Sequence, residues 1–238
     1  MYRLKGGDNI NVLKFDVLSS TSSYARENAN CLSLPCIIVA YSQTNGRGRR
    51  GNSFYSPEGT GLYMTLLFEP KEMNPLFTPA AAVAVCEVIE KDFGITPQIK
   101  WVNDIFLEDK KVCGILCETF AANNKRLVSI GIGINLTTRN FPESLPDAAS
   151  LGIECDKEAL AEKISKAFLA LTEPDKSDYI LNEYEKRLFI IGRNIGFSEN
   201  GVLYSAKVKG INEVCNLIVE MPDKKEKILS SGEISVKL

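Results

Sequence analysis

Apolar positions recur along this chain with two spacings, one typical of amphipathic helices and one typical of buried strands. Helices are predicted at residues 21–29, 78–93, 156–171 and 179–186, with Asp156 as the cap of the third. The second helix has the broadest apolar face, and Gly94 directly after it is a residue that commonly ends helices. Short apolar runs, several of them β-branched, predict strands at 37–41, 62–68, 99–101, 104–107, 111–120 and 127–136.

The pattern changes after residue 187. From Leu188 onward the chain has short β-rich runs separated by glycines, and it has no helical period. A small β-barrel of about 50 residues fits this pattern. We therefore predict two domains, 1–187 and 188–238. The charged run 223–227 is predicted to be a solvated hairpin tip.

Net charge, apolar run length and cysteine usage limit the classes of protein that this chain could belong to. The chain has 238 residues and a net charge of −2, which disfavours a protein that holds nucleic acid through bulk charge. No apolar run reaches the roughly 18 residues of a membrane span, and the N-terminus lacks a signal-peptide core, so we expect a cytoplasmic protein. The seven cysteines, an odd number without C-x-x-C spacing, predict reduced and mostly buried thiols. Cys113 and Cys117 are spaced as a metal pair could be, but the chain has no histidine to complete the usual zinc sets.

The absence of histidine also excludes Ser-His-Asp and Cys-His chemistry, so any reaction must depend on lysine, arginine, aspartate and asparagine. The most informative segment for such chemistry is Gln43–Phe54, which has three glycines and three arginines between Gly46 and Gly51. Glycine lets a backbone approach a ligand closely, and arginine presents a fork of donors to carboxylate or phosphate. The segment matches neither the Walker loop nor the Rossmann fingerprint. It predicts a loop that closes around a small anion; the alternative is a mobile basic surface loop.

Two further segments could carry chemistry. Residues 100–105 and 111–116 place two lysines, an asparagine and an aspartate beside short apolar strands, where lysine could meet phosphate or carboxylate. The structural alternative puts Trp101 in the core, Asp104 in a turn and Lys111 on the surface.

The third segment, 130–136, is a predicted buried strand with two glycines that ends in a polar residue. It could place Asn135 beside a ligand, or it could simply pack closely against a neighbouring strand.

Taken together, these segments resemble those of the biotin–protein ligase family, in order and in spacing, over nearly the whole chain. The resemblance is carried by Q-T-x-G-R-G-R-R-G at 43–51, S-P-x-G-x-x-L-Y at 56–63, K-W-x-N-D at 100–104, K-x-x-G-I-L at 111–116, G-I-G-I-N at 131–135 and the ending G-E-I-S at 232–235.

The resemblance implies an α+β, class II synthetase-like catalytic domain, with a central mixed β-sheet flanked by helices and a small SH3-like β-barrel at the C-terminus. It also implies the form without a DNA-binding domain, because the family's Ser-Thr element already appears at Ser20 and Thr21 and leaves no room for a helix-turn-helix before it. A homodimer through sheet edges is plausible in this family, and neither DNA nor a membrane is expected as a partner.

The implied reaction has two steps. Biotin and ATP would form biotinyl-5′-AMP, and the biotinyl group would pass to one lysine of a biotin carboxyl carrier protein or domain. Mg²⁺ is expected on the ATP phosphates, with no direct protein ligand. Two alternatives stay open: a lipoate- or octanoate-protein ligase type of acyltransferase, and a non-catalytic regulator that binds biotin or its adenylate.

The resemblance also assigns residues to roles. Biotin would be bound by Ser20, Thr21, Ser22, Gln43, Gly46, Arg47, Gly48, Arg49, Lys111 and Gly114. ATP and the adenylate would be bound by Arg49, Asn52, Phe54, Lys100, Asn103 and Asn135. The catalytic residues would be Arg47, Arg49, Lys100, Asp104 and Lys111. The chain departs from the common family pattern at Ser22, where asparagine is usual, at Asn52, where arginine is common, and at Phe54, where tryptophan is common.

Overall fold

A computed structural model describes residues 10–230 and 234–236. These residues form two compact units. The first consists of the described residues up to Met73 together with Lys110–Ala167, and the second consists of Asn74–Asp109 together with the described residues from Phe168 onward.

The first unit is built on a mixed sheet. Its strands are β1 (Asn11–Leu18), β2 (Cys36–Gln43), β3 (Gly61–Phe68), β6 (Lys110–Ala122) and β7 (Lys125–Asn135). They lie in the order β1-β2-β3-β7-β6, with β1 parallel to β2 and the other pairs antiparallel. Helix α1 (Thr21–Glu27) packs on β2, β3 and β7.

Apolar burial explains this arrangement. All eight residues of β3 are buried, as expected for a central strand covered on both faces. Beneath α1, Ala25 and Ala29 pack against Cys36, Ile38 and Leu67. Because side chains alternate along a strand, the face of β7 under α1 carries Gly131, Gly133 and Asn135, while the isoleucines between them are buried on the other face.

The second unit contains two helices that pack together, α2 (Phe77–Phe93) and α4 (Ser177–Arg187), and a short antiparallel pair, β4 (Gln98–Lys100) and β5 (Asp104–Leu107). Helix α2 ends where Gly94 takes up the left-handed conformation, with φ 67°. Arg187 at the end of α4 donates to Glu90 of α2 over 2.9 Å, which ties the two helices together.

The C-terminal part of this unit is a five-stranded antiparallel sheet in the order β11-β10-β9-β8-β12. Its strands are β8 (Asn194–Glu199), β9 (Val202–Ile211), β10 (Leu217–Glu220), β11 (Glu226–Leu229) and β12 (Ile234–Val236). The charged run 223–227 spans the turn between β10 and β11 and the start of β11.

The α+β class, the central mixed sheet flanked by helices and the C-terminal antiparallel β domain are therefore confirmed. Helix α3 (Lys157–Leu171) begins directly after Asp156, which is its cap as predicted and accepts from the Ala159 N–H over 3.0 Å. That backbone hydrogen bond lowers the pKa of the Asp156 carboxyl. The prediction that Trp101 extends a strand is wrong, since β4 ends at Lys100 and Trp101 begins a turn.

The seven cysteines are all free thiols, and four of them are buried. Among residues 10–230 and 234–236, no helix is both long and apolar enough to cross a membrane. Two sequence predictions fall on positions that the structure does not describe: the absence of a signal-peptide core at the N-terminus, and the Gly232–Glu233 part of the C-terminal family motif.

Candidate functional site

A chain of hydrogen bonds joins the start of α1 to β2 and β3 in the first unit. Gln43 Oε1 accepts from the Thr21 backbone N–H over 2.8 Å and from Thr21 Oγ1 over 3.2 Å. Thr65 Oγ1 donates to Thr21 Oγ1 over 2.9 Å, and Ser22 Oγ lies 3.1 Å from Thr65 Oγ1. On the other side, Gln43 Nε2 donates to Ser56 Oγ over 2.8 Å.

The direction of donation along this chain is fixed by chemistry. A backbone N–H can only donate, so the Gln43 amide must turn its oxygen toward Thr21. The Thr21 hydroxyl then donates to that oxygen, the Thr65 hydroxyl donates to Thr21, and the Ser22 hydroxyl donates to Thr65. Within the described residues, this leaves one Gln43 N–H and lone pairs on Ser22 Oγ and Thr21 Oγ1 for a ligand.

Glycines on β6 and β7 allow side chains to lie directly on the sheet. A methyl group on the Gly131 Cα would stand 2.6 Å from Ser22 Oγ, and one on the Gly133 Cα would stand 2.5 Å from the Phe54 ring. Gly114 pairs with Gly133 across the two strands. A methyl group there would stand 3.3 Å from the Phe54 ring and 3.4 Å from Lys111 Cε. The glycines thus bring Ser22, Phe54 and Lys111 onto one face of the sheet.

Phe54 and Tyr63 form an edge-on aromatic pair beside these glycines, with ring centroids 6.4 Å apart. The Tyr63 hydroxyl donates to the Pro57 carbonyl over 2.9 Å. Burial raises the pKa of Tyr63 to about 12, so this residue stays a neutral donor at physiological pH. The pair forms an apolar wall next to the polar hydrogen-bond chain.

The glycine- and arginine-rich segment forms a tight turn closed by its own backbone. The Gly48 N–H donates to the Asn52 carbonyl over 2.7 Å, and the Phe54 N–H donates to the Gly46 carbonyl over 2.8 Å. Between them Arg50 takes up the left-handed conformation, with φ 55°. The segment is therefore an ordered hairpin-like turn in this structure rather than an extended loop.

Close packing and backbone bonds hold the base of this turn beside the start of α1. The Asn45 N–H donates to the Ser19 carbonyl over 2.8 Å. A methyl group on the Gly46 Cα would stand 2.4 Å from the Phe54 carbonyl oxygen and 2.9 Å from Gln43 Nε2, so only glycine fits at this position. The turn is thereby tied to the same glutamine that orders the hydrogen-bond chain.

The guanidinium of Arg47 forms a two-pronged ion pair with Glu118 on β6. Nη1 donates to Oε2 over 2.9 Å, and Nη2 donates to Oε1 over 2.8 Å. Arg26 also approaches Glu118, at 3.4 Å, and its guanidinium lies over the Phe120 ring. Two parallel bonds of this type fix both the position and the orientation of an arginine. Glu118 therefore fastens the arginine-rich turn to the sheet.

We expect Glu118→Gln to loosen this turn with little loss of global stability. The pair is partly exposed, so its contribution to folding is about 1 kcal/mol or less. Limited digestion with trypsin, which cuts after arginine, should become several-fold faster within 47–50. Glu69→Gln is a matched control, since Glu69 forms a 2.7 Å ion pair with Lys125 elsewhere in the same unit. Equal digestion rates for the two variants would show that Glu118 does not hold the turn.

The backbone of Lys111 is held by residues 147–149, which run alongside it. The Lys111 N–H donates to the Asp147 carbonyl over 2.6 Å, and the Ala149 N–H donates to the Lys111 carbonyl over 2.9 Å. Asn135 Nδ2 donates to the Ala149 carbonyl over 2.9 Å. Residues 147–149 thus link Lys111 to Asn135. The Asn135 Oδ1 atom is buried and accepts no hydrogen bond within the part of the chain that the structure describes.

The K-W-x-N-D residues lie in the second unit. Lys100 and Asp104 are cross-strand partners at the end of the β4–β5 pair, and Asn103 Nδ2 donates to Asp104 Oδ1 over 3.0 Å. The turn between them is anchored by Trp101, which is buried and donates through Nε1 to the Cys215 carbonyl over 2.8 Å. Tyr184 donates to the Val102 carbonyl in the same turn.

The first unit thus brings together predicted site residues from the start of α1 and from segments 43–54, 111–116 and 130–136. Ser20 occupies the N-cap position of α1, although its side chain makes no capping hydrogen bond, and Thr21, Ser22, Gln43 and Phe54 lie in or beside the hydrogen-bond chain. Arg49 and Asn52 lie within the tight turn, where the Asn52 N–H donates to the Arg49 carbonyl. Three residues of the site were missed from the sequence: Thr65, Ser56 and Glu118. Ser56 begins the S-P-x-G-x-x-L-Y motif, whereas no sequence motif includes Thr65 or Glu118.

A polar hydrogen-bond chain, a sheet face lined by glycines and a turn rich in arginine are together suited to binding a small polar molecule that carries negative charge. The chain belongs to the biotin/lipoate A/B protein ligase family, which matches residues 14–135. The biotin protein ligase C-terminal domain matches residues 190–237.

Individual relatives agree with this assignment. The bifunctional ligase/repressor BirA of Bacillus subtilis is 37% identical over 237 residues, covering 91% of this chain and 71% of the relative. BirA of Escherichia coli is 29% identical, covering 99% of this chain and 76% of the relative. Among solved structures, the biotin protein ligase of Aquifex aeolicus in complex with biotin and ATP superposes with a TM-score of 0.79 at 28% identity, covering 95% of this chain and 98% of that one.

Proposed function

We propose that this protein is an ATP-dependent ligase that activates biotin as biotinyl-5′-AMP and transfers it to a lysine of a biotin carboxyl carrier protein or domain. The observation that supports biotin most strongly is the directed hydrogen-bond chain at the start of α1. The names of the relatives point the same way, and so do the biotin and ATP bound to the similar ligase of Aquifex aeolicus.

The donors and acceptors that the hydrogen-bond chain of Thr21, Ser22 and Gln43 leaves open complement those of a cyclic urea. A ureido group donates through two N–H groups and accepts through one carbonyl oxygen. The lone pairs on Ser22 and Thr21 suit the donors, and the remaining Gln43 N–H suits the carbonyl. The dithiolane ring of lipoate has no N–H, and it would leave these buried polar atoms without partners. Unmet buried polar groups cost about 1–3 kcal/mol each, which favours biotin over lipoate.

In the first step a carboxylate oxygen of biotin attacks the α-phosphorus of ATP. The bond from that phosphorus to the bridging oxygen of the β-phosphate breaks, and pyrophosphate leaves. Two anions must meet for this to occur, so alignment and positive charge dominate the catalysis. Lys111 supplies a charge beside the apolar wall, and Arg49 supplies another from the turn. We assign Lys100 to the ATP phosphates.

In the second step the neutral ε-amine of the acceptor lysine attacks the carbonyl carbon of the mixed anhydride. The carbon–oxygen bond to AMP breaks, AMP leaves with the electron pair, and the amine releases a proton to solvent. Lys111 would again stabilise the negative oxygen that develops. Asp104 is assigned to the reaction as a carboxylate that orients a lysine, holds Mg²⁺ through water or receives the acceptor amine.

We assign Mg²⁺ to this reaction as a companion of ATP. Within residues 10–230 and 234–236 no cluster of three or more histidine, cysteine, aspartate or glutamate residues could hold a metal. The ion would neutralise the polyphosphate while keeping substrate and water oxygens as ligands. The buried Asn135 Oδ1 is a hard oxygen that suits a nucleotide hydroxyl or a metal-bound water.

Two measurements test this function. Calorimetry should show that biotin binds and that lipoate and octanoate do not, because only biotin satisfies the hydrogen-bond chain. Incubation with ATP, biotin and a purified biotin carboxyl carrier domain should then add one biotinyl group, detected by mass spectrometry. Changing the acceptor lysine to arginine should abolish the addition. Preferential binding or transfer of lipoate would refute the assignment.

A further inference from the structure

Thr65 is the one member of the hydrogen-bond chain that has no position in any of the recognised sequence segments. It lies in the middle of β3, is fully buried, and sits opposite Gly131 of β7. Its hydroxyl bridges Ser22 Oγ, 3.1 Å away, and Thr21 Oγ1, 2.9 Å away. Because of this burial, Thr65 reaches a ligand only through these two side chains.

We propose that Thr65 is a positioning residue that sets the donor and acceptor polarity of the pocket, and that it thereby selects a ligand with N–H donors. This inference rests on the proposed function. The Thr65 hydroxyl has one hydrogen, which goes to Thr21, so it can only accept from Ser22. The Ser22 hydroxyl must then donate its hydrogen to Thr65, and the lone pairs of Ser22 Oγ remain for the ligand.

Removing the Thr65 hydroxyl would undo this arrangement without touching the ligand site directly. In Thr65→Val the Ser22 hydroxyl has no acceptor on β3, so it turns its hydrogen toward the ligand. A donor would then face a donor, which discriminates against a ureido N–H. Thr21 would also lose a donor. Since valine has nearly the shape of threonine, packing beneath α1 should change little.

Gly131 supports the same arrangement. It leaves Ser22 Oγ room to lie over β7, because a methyl group at Gly131 would stand only 2.6 Å from that atom. The serine at position 22, one of the departures from the common family pattern, is short enough to reach Thr65 from this place. Thr65, Gly131 and Ser22 therefore act together: the register of β3 and β7 places Thr65 and Gly131 where they orient the Ser22 hydroxyl.

The test is the rate of biotin-dependent ATP–pyrophosphate exchange as a function of biotin and of ATP. Thr65→Val should raise the KM for biotin about tenfold, with kcat and the KM for ATP within about twofold of the unchanged protein. Thr65→Ser keeps the hydroxyl and should restore the KM for biotin. Thr138→Val is the matched control, since Thr138 is a buried threonine whose hydroxyl lies 2.9 Å from that of Thr60.

A double variant separates positioning from packing. If Thr65 acts largely through Ser22, the loss in Ser22→Ala/Thr65→Val should be smaller than the product of the two single losses. Desthiobiotin, which keeps the urea ring, should lose affinity for Thr65→Val by the same factor as biotin.

An unchanged KM for biotin in Thr65→Val would overturn the inference, as would equal defects in Thr65→Val and Thr65→Ser. If Thr65→Val does not fold, Thr65→Ser and Ser22→Ala decide: the first should resemble the unchanged protein, and the second should bind biotin more weakly. Failure of the proposed function would look different, because the unchanged protein itself would show no exchange with biotin.

Discussion

Replacing Lys111 with methionine is expected to slow biotinyl-adenylate formation by about 10²–10³-fold, the usual effect of removing one charged or polar group that stabilises a transition state. Methionine keeps an unbranched stem that can pack over Gly114 as the lysine stem does. The variant therefore removes the charge and leaves the packing. Single-turnover measurement of adenylate with radiolabelled ATP would give the rate directly.

The control for this variant is the neighbouring lysine. Lys110 is exposed and donates to the Pro146 carbonyl over 2.8 Å, so Lys110→Met removes the same charge one residue away. Its adenylation rate should stay within about twofold of the unchanged protein. If Lys111→Met forms adenylate at the normal rate, or if both variants are equally slow, Lys111 is not the catalytic cation.

The second large effect is expected for Gly46→Ala. The added methyl group would stand 2.4 Å from a backbone oxygen of Phe54, 2.8 Å from Ser56 Oγ and 2.9 Å from Gln43 Nε2. A backbone atom cannot swing aside as a flexible side chain does, so the turn and Gln43 must shift together. We expect biotin affinity to fall by at least about 100-fold, since several hydrogen bonds are lost at once.

Gly48→Ala offers a graded comparison for this prediction. Its methyl group would stand 3.2 Å from the Asn52 carbonyl oxygen, a contact that a small adjustment relieves. Calorimetric titration should therefore show a much smaller loss of biotin affinity than in Gly46→Ala. Equal affinities for the two variants would mean that the tight base of the turn is unimportant for binding. Circular dichroism would confirm that both proteins are folded.

Sequence patterns predicted local structure well where burial and caps determine it. The apolar face of α2 and the glycine that ends it are local signals, and so is the aspartate that caps α3. The prediction of Trp101 as a strand residue is wrong, because this apolar side chain is buried to anchor a turn and does not continue the strand. Its partner is the carbonyl of Cys215, which lies 114 residues further along the chain. No local pattern can predict such a contact.

The site was only partly predictable for the same reason. The family resemblance carried by the sequence motifs assigned Ser22, Gln43 and Lys111 to the site. Thr65 reads as an ordinary strand residue until strand pairing brings it opposite Gly131 and under α1. Glu118 reads as a surface acid until the register of β6 brings it to Arg47, 71 residues away in sequence. Strand register, which the apolar pattern leaves open, decides both contacts.

Biotin-dependent ATP–pyrophosphate exchange shows whether this chain activates biotin with ATP. With Mg²⁺ and labelled pyrophosphate, label should enter ATP when biotin is present and should not do so when biotin is omitted or replaced by lipoate. Lys111→Met should remove most of the signal. Exchange that proceeds equally well with lipoate, or no exchange from a folded protein that binds biotin, would contradict biotin activation by this chain.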